Sequence, residues 1–288
     1  MAIYHMTAKV MKRSEGRNAV HAAAYRSGGA LRDERSGQTF DYSRRKGVEH
    51  SEILAPDGAP GWVFDRAELW NRVEASEKRK DAQIAREVEF ALPRELSAAQ
   101  CVELACAFVR EEFVSRGMVA DISIHRTTAG DGGDHPHCHV MLTMRHLGPD
   151  GFGQKAREWN DHERYNLTRE RWAKAANDAL DAIGSVSRID HRSYAEQGIA
   201  KEPEPYLGIA LKVRDLTLGI REKFNQWVAV RHRNRARDYV AALEAQEPNA
   251  IEERMGAFLS RTARSLGLDR LYAALVPERE TREAGFER

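Results

Sequence analysis

The sequence predicts an α+β fold: a central antiparallel sheet with helices packed on one face, followed by a helical C-terminal region. Three observations carry that prediction. Between residues 84 and 145 a period-two strand, a long amphipathic helix and two further strands follow in that order, which suits an antiparallel sheet covered by helices. The last two strands are joined by the glycine-rich TTAGDGGD. Near residue 200 the pattern changes to long, charged helical stretches.

The elements follow from their residues in chain order. AIYHMTAKV, residues 2–10, reads as a short strand with Tyr4, Met6, Ala8 and Val10 on one face and Ile3, His5, Thr7 and Lys9 on the other. Asn18 then caps an alanine-rich helix, AVHAAAYRS, that Gly28 and Gly29 stop. A polar stretch runs to about residue 47. Strand-like VEHSEILAP and a turn at Pro56, Asp57 and Gly58 lead into a helix over 65–79. In IAREVEFALP the alternation sends Ile84, Val88, Phe90 and Leu92 to the core and Glu87 and Glu89 to the opposite face. An amphipathic helix runs from Ser97 to about Ser115, and the strands MVADISIHR and HPHCHVMLTMR follow. Next come the helix ERYNLTRERWAKAANDALDAIG, the punctuated segment KEPEPYLG, and charged helices to the end. This predicts a domain over 1–205 and a charged helical region of unknown role over 206–288.

Composition narrows the class. A chain of 288 residues with 42% hydrophobic and 31% charged residues buries a sizeable core beneath a heavily charged surface, which excludes a disulfide miniprotein and a disordered chain. No long apolar run is present, and MAIYHMTAKVMKR puts its basic residues after the apolar ones, the inverse of a secretory signal. The expectation is a cytoplasmic protein without membrane insertion. Three cysteines with no CxxC spacing suggest neither a disulfide framework nor a cysteine zinc site, so Cys101 and Cys106 are read as packing residues of a helix. A net charge of +1 hides local clusters: Lys9, Lys12, Arg13 and Arg17; Arg44, Arg45 and Lys46; Lys78, Arg79 and Lys80; and Arg231, Arg233, Arg235 and Arg237. Such clusters suit a phosphate-backbone ligand, and a solvated charged surface reads the same way.

The chemistry concentrates in the last two strands. Alternation puts His135, His137 and His139 on one face and Cys138, Val140, Leu142 and Met144 on the other. In DISIHR it turns Ile122 and Ile124 inward and leaves Ser123 and His125 with the histidines, where Glu87 and Glu89 also point. Imidazoles beside carboxylates are the makings of a metal site with supporting acids, and three nitrogen ligands favour Mn, Zn or Co over Mg. HExxH, GxxxxGK[ST] and GxSxG are all absent, so a zincin, a Walker NTPase and an α/β-hydrolase lack their signatures.

The start MAIYHMTAKV, the helix AVHAAAYRSGG, the strand REVEFALPREL, the unit IHRTTAGDGGDHPHCHVMLTMR and the later IDHRSYAEQGI together resemble the MobA/MobL group of plasmid mobilization relaxases, over about residues 1–205. These are HUH endonucleases, named for two histidines flanking a hydrophobic residue, as His137, Cys138 and His139 stand here. The resemblance implies that His125, His137 and His139 hold a divalent metal, Mn or Mg, that Tyr25 is the nucleophile and that Glu87 supports the site. By the residues alone Glu89 is an alternative to Glu87, since both face the same way. His135 stands where relatives commonly have asparagine, which leaves its role open. The implied activity is strand-specific nicking of single-stranded plasmid transfer-origin DNA through a 5′-phosphotyrosyl intermediate. Accessory mobilization proteins and a type IV secretion coupling protein are the implied partners. Two other readings stay open: an HUH rolling-circle initiator or transposase, in most of which the tyrosine helix follows the histidine strands, and a non-catalytic DNA-binding mobilization protein.

Overall fold

The computed structural model describes residues 4–129, 132–204 and 218–246. The chain divides into two compact units, Met1–His191 and Arg192–Arg288. The first opens with β1 (Met6–Lys12), α1 (Ala19–Ser27), the short β2 (Ala30–Arg32) and β3 (Thr39–Asp41), β4 (Val48–Leu54) and α2 (Arg66–Ser76). It continues with β5 (Gln83–Ala91), α3 (Ala98–Glu112), β6 (Ala120–Thr128), β7 (Asp134–Leu142), β8 (Arg145–Gly148), β9 (Gly151–Lys155) and α4 (His162–Ala182).

Five strands form one sheet in the order β1-β5-β7-β6-β4, with every neighbouring pair antiparallel. The α+β class and the antiparallel sheet are those the sequence predicts. On the first face Phe90, Ile122, Ile124, Cys138, Val140 and Leu142 are buried against α3 and α4, where the Phe90 and Trp172 ring centroids lie 4.2 Å apart. Helix α3 starts in a capping box, Ser97 and Gln100 satisfying each other's backbone amides, which fixes where it meets the sheet.

The second face is also covered, over part of its length, which the one-faced expectation did not include. Here α1 and α2 bring Ala19, Val20, Ala23, Leu69, Trp70 and Val73 onto Met11, Ala85 and Met141. That cover explains why Ile84, Ala85 and Arg86 are buried in succession in a strand predicted to alternate. Two hairpins, β2 with β3 and β8 with β9, occupy stretches without a strand pattern in the sequence. The first strand begins at Met6, with residues 1–3 outside the described set; Ala8 is exposed on β1, an edge strand.

Helix α1 is anchored at both ends. Its open first-turn amides are met by Asn18 Oδ1, which accepts from the His21 amide at 2.8 Å, and by the buried Glu74 of α2, whose Oε1 accepts from the Ala19 amide at 2.7 Å. Glu74 also takes Arg13 at 2.6 Å. At the far end Gly28 sits in the left-handed region, φ 68°, and a Cβ there would stand 3.2 Å from Val48 Cγ2, so the stop signal is also a close approach to β4.

In the second unit α5 (Leu218–Gln246) is the described helix. Asn234 exchanges hydrogen bonds with the Glu202 backbone at 2.9 and 2.8 Å, and the Glu202 carboxylate receives Arg233 and Arg237. Part of the basic cluster over 231–237 is therefore neutralised within its own unit. The boundary expected at 205/206 and the segment 247–288 lie outside the described residues.

Removing the Glu74 carboxylate leaves a buried helix amide unmet and takes the carboxylate partner from Arg13, which keeps backbone carbonyls of Glu74 and Arg79. Glu74→Ala should lower stability by about 3 kcal/mol in denaturant melts, as expected when one partner of a buried pair is lost. Glu74→Gln, which retains an acceptor for the Ala19 amide, should lose less; equal losses would count against the capping role.

Candidate metal centre

The two central strands and β5 build the site. Register sets His125 opposite His137 and Ser123 opposite His139, and on the other side of β7 it sets Glu89 opposite His139. One nitrogen from each of His125, His137 and His139 lies within 4.8 Å of the others, and the rings stand 4.8 to 5.5 Å apart between centroids. The sequence expectation that the histidines share one face is met, and Cys138 is fully buried on the opposite one.

Hydrogen bonds set the protonation of these rings. His137 Nδ1 lies 3.0 Å from the His135 carbonyl and must donate to it, leaving the lone pair on Nε2. His125 Nε2 likewise donates to the Arg26 carbonyl at 2.7 Å, leaving the lone pair on Nδ1. His139 Nδ1 is buried and has no hydrogen-bond partner, the nearest carboxylate oxygens being Glu87 Oε1 at 3.5 Å and Glu89 Oε2 at 3.7 Å. Burial pushes His125 down to about 4, with His139, Arg45 and His137 adding to the effect, and burial also lowers His137. A neutral imidazole is the form in which histidine ligates a metal, and His125 and His137 are held toward it beside the third ring, so the residues present fit a divalent ion.

Glu87 is held by more than its histidine. Burial would raise its carboxyl, but the His139 ring and the Arg26 guanidinium outweigh burial and bring it to about 2. Arg26 reaches Glu87 Oε1 with Nε at 2.9 Å and with a second, shorter contact from Nη2. Glu87 therefore lies between a cation and the His139 ring, whereas Glu89 is more exposed and sits beside the ring without Arg26. His135 stacks on His137 at 5.1 Å between centroids.

Tyr25 lies in the last turn of α1, 47% exposed, with its ring edge-on to Tyr42. Tyr42 in turn bonds His21 Nε2 at 2.6 Å. The Arg45 guanidinium covers the Tyr25 ring at 3.8 Å, bonds the Tyr25 carbonyl, and comes within 3.5 Å of His125 Nδ1. Arg26 and Arg45 were not singled out in the sequence as site residues. Arg45 was visible only as part of a basic cluster. For Arg26 the available signal was Glu87 itself, since a carboxylate on a partly covered face requires a cation nearby. His125 is 2% exposed, because α1 and Arg45 roof it.

The MobA/MobL family pattern matches residues 17–215. The chain belongs to the MobA/MobL family. Among similar proteins, mobilization protein MobL of Acidithiobacillus ferridurans is 41% identical over 240 residues, 73% of this chain and 63% of that protein. Conjugal transfer protein TraA of Agrobacterium fabrum is 37% identical over 245 residues, 74% of this chain and 22% of that protein. The chain thus spans less than two thirds of the length of these relatives. A solved structure described as "Molecular Basis of Vancomycin Resistance Transfer in Staphylococcus aureus" is 32% identical, with a TM-score of 0.62 over 67% of this chain and 100% of the other.

In this MobA/MobL chain the neutral histidines make stability depend on pH in a definite direction. His125 binds a proton near 6.5 when unfolded and near 4 when folded, so between those values the unfolded state holds more protons. Stability of the chelator-treated protein should fall as pH drops from 6.5 toward 4. Glu87 adds a further loss only below its ordinary 4.5. Urea melts across this range should show a flatter upper limb in His125→Asn than in the parent; parallel curves would mean that His125 titrates normally.

Proposed function

We propose that this chain nicks one strand of single-stranded plasmid transfer-origin DNA, with Tyr25 as nucleophile, as the relaxase step of conjugative mobilization. One observation carries the reading. Three imidazoles converge on the central strands, and the helix bearing Tyr25 is joined to one of them through the adjacent Arg26 carbonyl. The MobA/MobL membership and the relatives' names, mobilization protein and conjugal transfer protein, support it. The order of elements also favours a relaxase over a replication initiator, since Tyr25 precedes the histidine strands.

Tyr25 Oη attacks the scissile phosphorus, and the bond from phosphorus to the 3′ oxygen breaks. The phenolic proton leaves, the 3′ oxygen takes one up, and the strand remains on Tyr25 as a 5′-phosphotyrosyl ester that preserves the phosphodiester for rejoining. His125, His137 and His139 would hold a divalent ion such as Mn or Mg, which would supply Lewis-acid polarisation of the phosphate. Glu87, 3.5 Å from His139 Nδ1, is the carboxylate placed to orient that ring. Arg26 fixes Glu87, and Arg45 positions the Tyr25 ring while adding positive charge where phosphate arrives. In this reading the enzyme acts in the cytoplasm with accessory mobilization proteins and a type IV secretion coupling protein. Among the described residues no helix is long and apolar enough to cross a membrane.

Candidate origin oligonucleotides incubated with the protein and Mn should yield a protein band shifted by covalent DNA. Tyr25→Phe should abolish the adduct while leaving DNA affinity nearly unchanged, since only the attacking oxygen is removed. An adduct that persists would transfer the role to another tyrosine, Tyr42 being adjacent. Alanine at His125, His137 or His139, or treatment with EDTA, should stop nicking, and Mn should restore the chelated parent. Full nicking after chelation would overturn the metal-dependent mechanism. Binding to single strands should weaken with salt at a log-log slope of about 0.7 per phosphate neutralised.

A further inference from the structure

On the side of the sheet away from the three histidines, a second group of ligand-type side chains comes together. Residues i and i+2 of β4, His50 and Glu52, pair with Ile124 and Ile122 of β6, both of which belong to the core beneath α3. Helix α3 crosses that face and presents Cys106. His50 Nε2 lies 2.9 Å from Glu52 Oε1, the Cys106 thiol donates to the same oxygen at 2.9 Å, and one donor atom from each residue lies within 4.8 Å of the other two. The three are half-buried, neither sealed in the core nor loose on the surface.

We infer that His50, Glu52 and Cys106 form a second metal site, for a zinc-type divalent ion, which clips the edge strand β4 to α3. The donor set argues for that class of ion. An imidazole nitrogen, a carboxylate oxygen and a thiolate suit Zn or Co, whereas Mg and Mn take oxygen-rich shells. Three protein ligands leave a fourth position to water. Burial and the adjoining Glu52 carboxylate push the metal-free thiol up to about 12, so at neutral pH a proton occupies the sulfur and is shared toward Glu52. Binding the ion forms the metal–sulfur bond and releases that proton to solvent, so affinity rises with pH. The ion takes over the balancing of Glu52, for which Arg110, one turn further along α3, is the other nearby cation. The role is structural. Among the described residues β4 has only β6 as a strand neighbour, and β6 carries His125, so an ion here secures the sheet edge next to the catalytic face without touching it.

Cobalt(II) titrated into the full chain separates this site from the three histidines, since those offer only nitrogen. A thiolate-to-cobalt charge-transfer band in the near ultraviolet is expected at this site alone. Cys106→Ser should remove the band and one bound equivalent of cobalt, with DNA nicking unchanged. His50→Ala and Glu52→Ala should each weaken the band's cobalt affinity by more than the roughly hundredfold that is the upper range for loss of an outer-shell partner. His137→Ala should keep the band, and zinc should raise the melting temperature of the parent by more than that of Cys106→Ser, which retains the three histidines. Absence of the band at saturating cobalt overturns the inference, as does a band that survives Cys106→Ser or is indifferent to both His50→Ala and Glu52→Ala. If Cys106→Ser does not fold, the two β4 variants decide, because their side chains lie at the sheet edge.

Discussion

The pairing of Arg26 with Glu87 is the contact on which the arrangement of the candidate centre depends. It ties the C-terminal turn of α1 to the middle of β5, and through it the helix that carries Tyr25 is held to the strand beside the histidines. The same residue supplies the carbonyl to which His125 donates, so one arginine uses its side chain to hold the acid and its backbone to orient an imidazole. At the other end of α1 the Glu74 carboxylate meets a backbone amide and Arg13. Two buried or half-buried carboxylates thus set the position of a nine-residue helix with too few turns to be stable alone.

The sheet is asymmetric in a way that follows from this. Its first face is apolar along the central strands beneath α3 and α4, with His50 and Glu52 half-buried at the β4 edge. Its second face changes character along the strands: Met11, Ala85 and Met141 lie under α1 and α2, and beyond the end of α1 the same face carries Glu87, Glu89, Ser123 and the histidines. Partial cover has an electrostatic consequence. Enough water is excluded to keep His125 neutral and to make Glu87 depend on Arg26, and enough access remains to leave Tyr25 half exposed.

Much of the candidate centre was legible because strand alternation is a strong constraint. A period of two leaves no choice about which side chains of HPHCHVMLTMR share a face, and the antiparallel hairpin with DISIHR brings His125 to His137 once the two strands pair. Helix ends were legible for a similar reason: Asn18, Gly28 and Ser97 act on amides and carbonyls within a few residues of themselves. Arg26 and Arg45 were not, because their partners lie 61 and 80 positions away and nothing local distinguishes them from surface arginines. The expectation of a one-faced sheet failed on the same ground. The alanine-rich face of α1 is small enough to pack closely on a sheet, but which face it covers depends on where the chain returns.

The amino-acid sequence by itself determined the class of fold, the strands that carry the histidines, the sidedness of Cys138 and the family resemblance, because each rests on interactions between near neighbours or on a repeating pattern. Tertiary structure alone decided what stands behind and above those residues: Arg26 against Glu87, Arg45 between Tyr25 and His125, and Cys106 of α3 beside His50 and Glu52 of β4. Cys106 read as a packing residue because its sulfur meets Glu52 across 54 positions of sequence. Such contacts form only when separate elements are brought to one place by burial of the core. Apolar burial has no direction of its own, so the polar partners it brings together cannot be read from either segment alone.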